Sequence, residues 1–156
     1  MIFVTVGTHP DPFTRLVKHM DQLAAQMKEG VIIQKGYTLY TPTSAEYFEW
    51  APTLDSYFKK ARIVISHAAM SVIEFAKKYQ KPVIMVPRQV RYKEHINDHQ
   101  VEFAEVFSQK TGISAIGDIS VLTAELLKNY KKIPFLDDKN LLKLQQFLKD
   151  AIQQLS

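Results

Sequence analysis

Three short stretches hold the groups that could bind a ligand or act on it. The first is Gly7-Thr8-His9, directly after an apolar run. A glycine at a strand end lets backbone N–H groups approach a ligand, and the helix that follows offers its positive N-terminus to a phosphate. Steric need alone also puts glycine in such turns. The second is Ser66-His67-Ala68-Ala69-Met70-Ser71 with Glu74. Small residues at 68 and 69 leave room above a helix N-terminus, where free N–H groups at Met70 and beyond, with Ser71, could hold a diphosphate. Glu74 stands one helical turn past Ser71 on the same face, where a carboxylate could accept both hydroxyls of a ribose. A purely structural account makes Ser71 and Glu74 a capping box and His67 a satisfied core histidine. The third is Pro87-Arg88 and the loop to Gln100, dense in Arg91, Glu94, His95, Asn97, Asp98 and His99. Such a loop suits the many hydroxyls of a sugar, or is polar because it is wet. His95, Asp98 and His99 are competent metal ligands, but no further strong ligand recurs nearby at a standard spacing, so no metal site is expected.

The elements that must position these residues follow from periodicity. Continuous apolar runs at 2–6, 31–34, 63–65 and 83–86 read as strands covered on both faces. Further strands are expected at 46–50 and 113–116. Helices are expected between them: one capped by Asp11 or Thr14 and ended by Gly30, a short one opened by Thr53, one over 70–79, and one carrying Val101, Phe103, Ala104, Val106 and Phe107. Asp118 is the expected cap of a helix over 122–130, and a last helix is expected over 137–155. Alternating strands and helices predict an α/β fold with a doubly wound, Rossmann-like parallel sheet in a single domain, 1–156. In such a sheet, ligands sit outside the carboxyl ends of the strands, which is where all three stretches fall.

Composition narrows the classes. The chain has 156 residues, 46% hydrophobic, no cysteine and a formal net charge of +4. Thiol chemistry and disulfides are excluded. No apolar run approaches the roughly 18 residues of a membrane span, and the start reads as a strand and not a signal peptide, so a cytoplasmic protein is expected. The scattered lysines suit a solvated surface better than a nucleic-acid stripe. There is no Gly-x-Ser-x-Gly elbow, P-loop or Rossmann glycine fingerprint.

Read together, the stretches resemble a known family. Phe3-Val4-Thr5-Val6-Gly7-Thr8-His9 with Pro12-Phe13-Thr14-Arg15-Leu16-Val17 is similar to the opening of small bacterial exopolysaccharide glycosyltransferase subunits. So are Val64-Ile65-Ser66-His67-Ala68, Lys81-Pro82-Val83-Ile84-Met85-Val86-Pro87-Arg88, and Glu94-His95-Ile96-Asn97-Asp98-His99-Gln100-Val101-Glu102-Phe103-Ala104. Those subunits resemble the C-terminal half of the peptidoglycan lipid-intermediate N-acetylglucosaminyltransferase. They also resemble the catalytic subunit of the two-part enzyme that extends dolichol-diphosphate-linked N-acetylglucosamine.

The resemblance implies the nucleotide-sugar half of a GT-B glycosyltransferase that works without a metal or other cofactor. It takes a UDP-sugar as donor and serves extracellular or capsular polysaccharide synthesis. The acceptor half would be a separate membrane-anchored subunit, holding this chain at the inner face of the cell membrane and presenting a polyprenyl-diphosphate-linked sugar. Carried over, Gly7, Thr8, His67, Ala68 and Ser71 border the diphosphate, Glu74 holds the ribose, and Asn97 and Asp98 face the sugar. The same turn and loop place Met70, Pro87, Arg88, Glu94 and Gln100 with the donor, His67 or Arg88 beside the leaving group, and His9 where a general base would stand, unless the partner supplies it. Two departures stand out. Ala69 and Ser71 replace the glycines of the family's His-Ala-Gly-x-Gly turn and narrow it. Counting back from Lys81-Pro82 puts the acidic position on Phe75, whereas counting forward from the turn puts it on Glu74; a one-residue insertion before Lys81 favours Glu74. The altered turn motivates a second reading, a non-catalytic enhancer or binding subunit of a glycosyltransferase complex.

Overall fold

The computed structural model describes residues 1–132 together with Leu142 and Gln146. Ile2-Phe3-Val4-Thr5 forms β1 (Ile2–Thr5), buried along its whole length. It lies between β2 (Val31–Gln34) and β4 (Ile63–Ser66). Beyond β2 runs β3 (Glu46–Phe48), and beyond β4 run β5 (Val83–Met85) and β6 (Ser114–Ala115). The order is β3-β2-β1-β4-β5-β6 with every pairing parallel, the doubly wound sheet expected from the alternation.

Period-two alternation sends each strand's side chains into two cores. Ile2, Val4, Ile63, Ile65 and Ile84 pack on Leu16, Val17 and Met20 of α1 (Thr14–Ala24) and on Leu127 of α5 (Ala124–Asn129). Phe3, Val64, Val83 and Met85 face the other way. They meet Phe58 of α2 (Asp55–Lys60), Ile73 and Ala76 of α3 (Met70–Tyr79), and Phe107 of α4 (His99–Thr111). Each fully buried Ile or Phe contributes about 1.5–3 kcal/mol, so two apolar layers of this kind define the sheet without staples.

Element ends depart from expectation where a distant group replaces a local signal. Neither Asp11 nor Thr14 caps α1: the residue before it is Phe13, whose amide donates to Thr38 Oγ1 at 2.9 Å. The helix stops at Ala24, and Gly30 serves β1 instead, its carbonyl accepting from the Ile2 amide. Strand β3 ends at Phe48. Leu54, not Thr53, precedes α2, and Thr53 Oγ1 accepts from the Asp55 amide. Asp118 caps a single 3-10 turn, Ile119–Val121, while Thr123 caps α5. Ala69 precedes α3 without a side-chain cap, so Ser71 and Glu74 form no capping box. The helix expected over 137–155 lies outside the described residues.

β2 and β3 are parallel neighbours joined by residues 35–45 with no helix between them. One buried carboxylate organises that return. Asp21 of α1 accepts from the Thr43, Ser44 and Ala45 amides at 2.8–3.1 Å, and from the Tyr40 hydroxyl at 2.8 Å. Burial opposes its charge, but these donors outweigh that and hold the carboxyl below its ordinary value.

Candidate functional site

Strand order reverses between β1 and β4, and a crevice opens at such a point outside the carboxyl ends. The turn after β1 and the turn after β4 meet there. Gly7 has φ +76°, and a Cβ built on it would stand 2.5 Å from His67 Cε1. The imidazole therefore occupies the space that only a glycine leaves. The backbone amide of His67 donates to the Thr5 carbonyl at 3.3 Å. Burial, then the nearby Arg88 guanidinium, push the His67 pKa down to about 4, so the ring is neutral at neutral pH.

A residue that the sequence reading passed over holds this turn. Gln34, buried at the end of β2, uses its whole amide group. Its Oε1 accepts from Thr5 Oγ1 at 2.7 Å and from the Gly7 amide at 3.2 Å, and its Nε2 donates to the Gly7 carbonyl at 3.1 Å and the Glu49 carbonyl at 3.0 Å. The Gly7 N–H, expected to face a ligand, is thus spent inside the protein. The signal available was a polar residue closing the apolar run Val31-Ile32-Ile33.

The α3 side of the crevice is open. Ala68 is buried, and Ala69 has φ −143° and ψ 146°, an extended conformation that any L-residue adopts. Alanine in place of a family glycine therefore strains nothing at position 69, and only its methyl narrows the approach. Met70 begins the helix, and the amides of its first turn have no intrahelical acceptor. Ser71 and Glu74 are exposed and share one face. Phe75 is packed away, stacked on Phe58 with ring centroids 4.4 Å apart. Of the two positions offered by the register, Glu74 is the one that reaches solvent at this edge.

The loop after β5 is built differently from expectation. Arg88, foreseen beside a leaving group, is fully buried. Its Nη atoms donate to the carbonyls of Asp11 (2.8 Å), Glu94 (3.2 Å) and Val6 (3.1 Å), and it lies over the Phe13 ring. Its Nε is buried without a hydrogen-bond partner. Burial lowers its pKa to about 10, leaving it protonated at neutral pH beneath His67 and His9. Glu94, foreseen as a donor contact, is buried in a bidentate pair with Arg15 at 2.9 Å and also accepts from the Gln89 amide. Gln100 Oε1 accepts from the Arg88 amide, and Asp98 Oδ1 from the Val90 amide. Asn97 Oδ1 accepts from the His99 amide, and Pro87 gives its carbonyl to Arg15. Arg88, Glu94 and Gln100 thus shape the loop, and Asn97 and Asp98 stand at its outer end.

His9 and His95 bring their rings within 4.7 Å across the crevice mouth. The His9 Nδ1 accepts from the Asp11 amide at 3.2 Å, which assigns the proton of the neutral ring to Nε2. Burial, with Arg88 and His95 nearby, keeps its pKa below the ordinary value despite Asp11. Thr8 beside it is exposed. Among the described residues, no three His, Asp or Glu side chains converge as a metal site. No described helix is long and apolar enough to cross a membrane. The crevice therefore offers a helix N-terminus, an exposed carboxylate one turn along it and the imidazoles of His9 and His95, over a buried guanidinium: a surface suited to a polyanion carrying vicinal hydroxyls.

Comparison with known proteins bears on the family and the fold. Residues 1–155 match the family described as "Glycosyltransferase family 28 C-terminal domain". No curated protein matches the chain. Among solved structures, the glycotransferase of kitacinnamycin superposes with a TM-score of 0.59 at 19% identity, covering 81% of this chain and 32% of that one. The glycosyltransferase SnogD from Streptomyces nogalater gives 0.58 at 18%, covering 93% and 38%. MurG of Acinetobacter baumannii gives 0.57 at 12%, covering 97% and 49%. At these identities the likeness is one of fold. The chain spans about a third to a half of the length of these structures.

Proposed function

The chain belongs to the glycosyltransferase family 28 C-terminal domain family, and from that premise we propose that it is the donor-binding half of a UDP-sugar-dependent hexosyltransferase. Its acceptor half is a membrane-anchored partner presenting a polyprenyl-diphosphate-linked sugar, for extracellular or capsular polysaccharide synthesis, and the pair works at the inner face of the cell membrane. One observation carries the reading: the α3 N-terminus, with Ser71 and Glu74 exposed on one face, opens at the strand-order reversal beside the Gly7–His67 contact.

In this proposal the first-turn amides of α3, with Ser71 and the Thr8 turn, receive the diphosphate. The Glu74 carboxylate accepts the ribose hydroxyls, and Asn97 and Asp98 face the sugar. Transfer breaks the bond between the anomeric carbon and the UDP oxygen while the acceptor hydroxyl bonds to that carbon. Charge grows on the departing UDP, where the helix N-terminus and the buried Arg88 field stabilise it without a metal. The hydroxyl's proton must go to a base. His9 presents an Nε2–H in its present tautomer and would have to give up the Asp11 amide to accept it, so we assign the base to the acceptor half and hydrogen-bond donation to His9.

The test is calorimetry with UDP, paired with radiolabelled UDP-sugar transfer to membranes containing the partner. A Glu74→Ala variant should bind UDP at least tenfold more weakly, as expected when a charged hydrogen-bonding group of about 1.5–3 kcal/mol is removed. Undiminished affinity and transfer would remove Glu74 from the ribose role. A second reading, the non-catalytic enhancer subunit, draws on the Ala69 methyl at the turn and on the Gly7 amide being occupied by Gln34. Absence of UDP binding even with the partner present would select it.

A further inference from the structure

The two histidines at the crevice mouth repeat one local device. In His9-Pro10-Asp11 the ring Nδ1 accepts from the Asp11 amide at 3.2 Å, and in His95-Ile96-Asn97 it accepts from the Asn97 amide at 3.4 Å. Each ring thus folds back on the backbone N–H two residues further on, in loops that follow β1 and β5. The Asp11 carboxylate, 3.7 Å from the His9 Nδ1, is too far away to compete for it. A ring nitrogen that accepts carries no proton, so each ring presents its N–H at Nε2, on the side away from its own loop. Both rings are partly exposed, and among the described residues neither Nε2 meets an acceptor.

The pair is set before any ligand arrives. The ring centroids stand 4.7 Å apart at a tilt of 31°, so the two N–H groups share one opening. The backbone amides hold both ring rotations, and donors fixed in advance cost no reorganisation on binding. Beneath them the Arg88 guanidinium is buried against carbonyls, and its charge reaches His9. Two donors over a buried cation, with no acceptor between them, suit an anionic oxygen group with several lone pairs. A hydroxyl, which brings a proton of its own, satisfies them less well.

The position of each ring says which anionic group that is. His9 adjoins Thr8, whose turn receives the diphosphate in the proposed donor site, and His95 lies two residues before Asn97, which faces the sugar there. At that junction stands the phosphate that bears the sugar, the terminal one of UDP. We infer that His9 and His95 form a two-ring clamp for the terminal phosphate of a nucleoside diphosphate, and that His95 is a specificity residue by which the crevice tells a diphosphate from a monophosphate. The inference rests on the reading of the chain as a donor half, in which His95 has no other task.

UDP and UMP differ by that phosphate alone, so calorimetry with both, on the full chain alone and with its partner, isolates the clamp. His9→Ala and His95→Ala should each weaken UDP about tenfold, while UMP changes less than about twofold. His95→Gln, whose side-chain N–H can stand near the place of Nε2, should recover most of the UDP affinity lost in His95→Ala. Equal losses for UDP and UMP, no loss for UDP, or no recovery with Gln would each overturn the clamp. The tautomers are read without any nucleotide. At about pH 8, above the ordinary histidine pKa of about 6.5, imidazole NMR spectra of the free chain should show both rings protonated at Nε2 only. A proton on Nδ1 of either ring overturns the clamp by itself. A parent that shows both tautomers as expected yet binds neither nucleotide, even with the partner present, overturns the donor reading and with it the ligand assigned to the clamp, so the two failures are told apart.

Discussion

Gly7 and His67 form the tightest coupling in the crevice, and it runs between turns 60 residues apart. The backbone of Gly7 at φ +76° already disfavours any side chain, by about 1–2 kcal/mol. The imaginary Cβ would also lie 2.5 Å from His67 Cε1. Gly7→Ala should therefore displace the imidazole and lower the melting temperature by more than the roughly 2–8 °C that the backbone penalty alone would cost, given about 2–4 °C per kcal/mol for a chain of this size. The steric share is separable. In a His67→Ala background the same substitution should cost clearly less, because only the backbone penalty remains, and thermal unfolding of the four proteins in the cycle measures the difference. Equal costs in the two backgrounds would show that the ring is not what requires the glycine. Sequence marked Gly7 as special without its reason. A ring contact from another turn leaves no local trace, and neither does an amide such as that of Gln34, which binds four groups on three residues.

At the scale of elements, the weak link is the return from β2 to β3. Parallel neighbours ordinarily need a crossover helix, and here eleven residues of loop replace it, secured to α1 through Asp21. Asp21→Asn keeps the shape but reverses one oxygen to a donor facing amide donors. The expected loss is about 1–3 kcal/mol, read from urea unfolding at neutral pH. Its pH dependence has a definite sign. The folded carboxyl lies below its ordinary value, so the charged form stabilises the fold above the unfolded pKa of about 3.9, and that stabilisation is lost as pH falls through the folded value. The gap between parent and variant should thus be widest near neutrality and close below about pH 4. A gap independent of pH would mean that ionisation of Asp21 is not what secures the loop. Element types were legible because apolar period decides them: α3 begins and ends where its pattern does, at Met70 and Tyr79. Caps were not, because Thr38 satisfies the end of α1 from 25 residues away. For the same reason Arg88 and Glu94 read as ligand contacts: in a list of polar loop residues, nothing distinguishes a side chain turned inward onto carbonyls from one turned outward.

For the whole molecule, parallel winding sorts charge along the strand axis. Every helix between two strands ends at the edge where the next strand starts, and lysines sit in last turns: Lys59 and Lys60 of α2, Lys77 and Lys78 of α3, Lys110 of α4 and Lys128 of α5. There they complement the helix dipoles. The net charge of +4 is therefore no sign of a basic ligand-facing surface, since these lysines lie at the edge away from the crevice. Four residues of strand separate the two edges by roughly 13 Å, beyond the Debye length of about 8 Å at physiological ionic strength. Binding of UDP should then depend on the α3 N-terminus and the buried Arg88, and not on the bulk of the lysines. A Lys59→Gln, Lys60→Gln double variant is expected to keep UDP affinity within twofold of the parent at about 0.15 M salt while melting slightly lower, because a helix terminus loses its complementary charges. Calorimetry at two ionic strengths decides the point. A loss of affinity in the variant that deepens as salt is lowered would mean that the far edge steers the nucleotide after all, and that the field of the whole chain, more than the local turn, selects an anion.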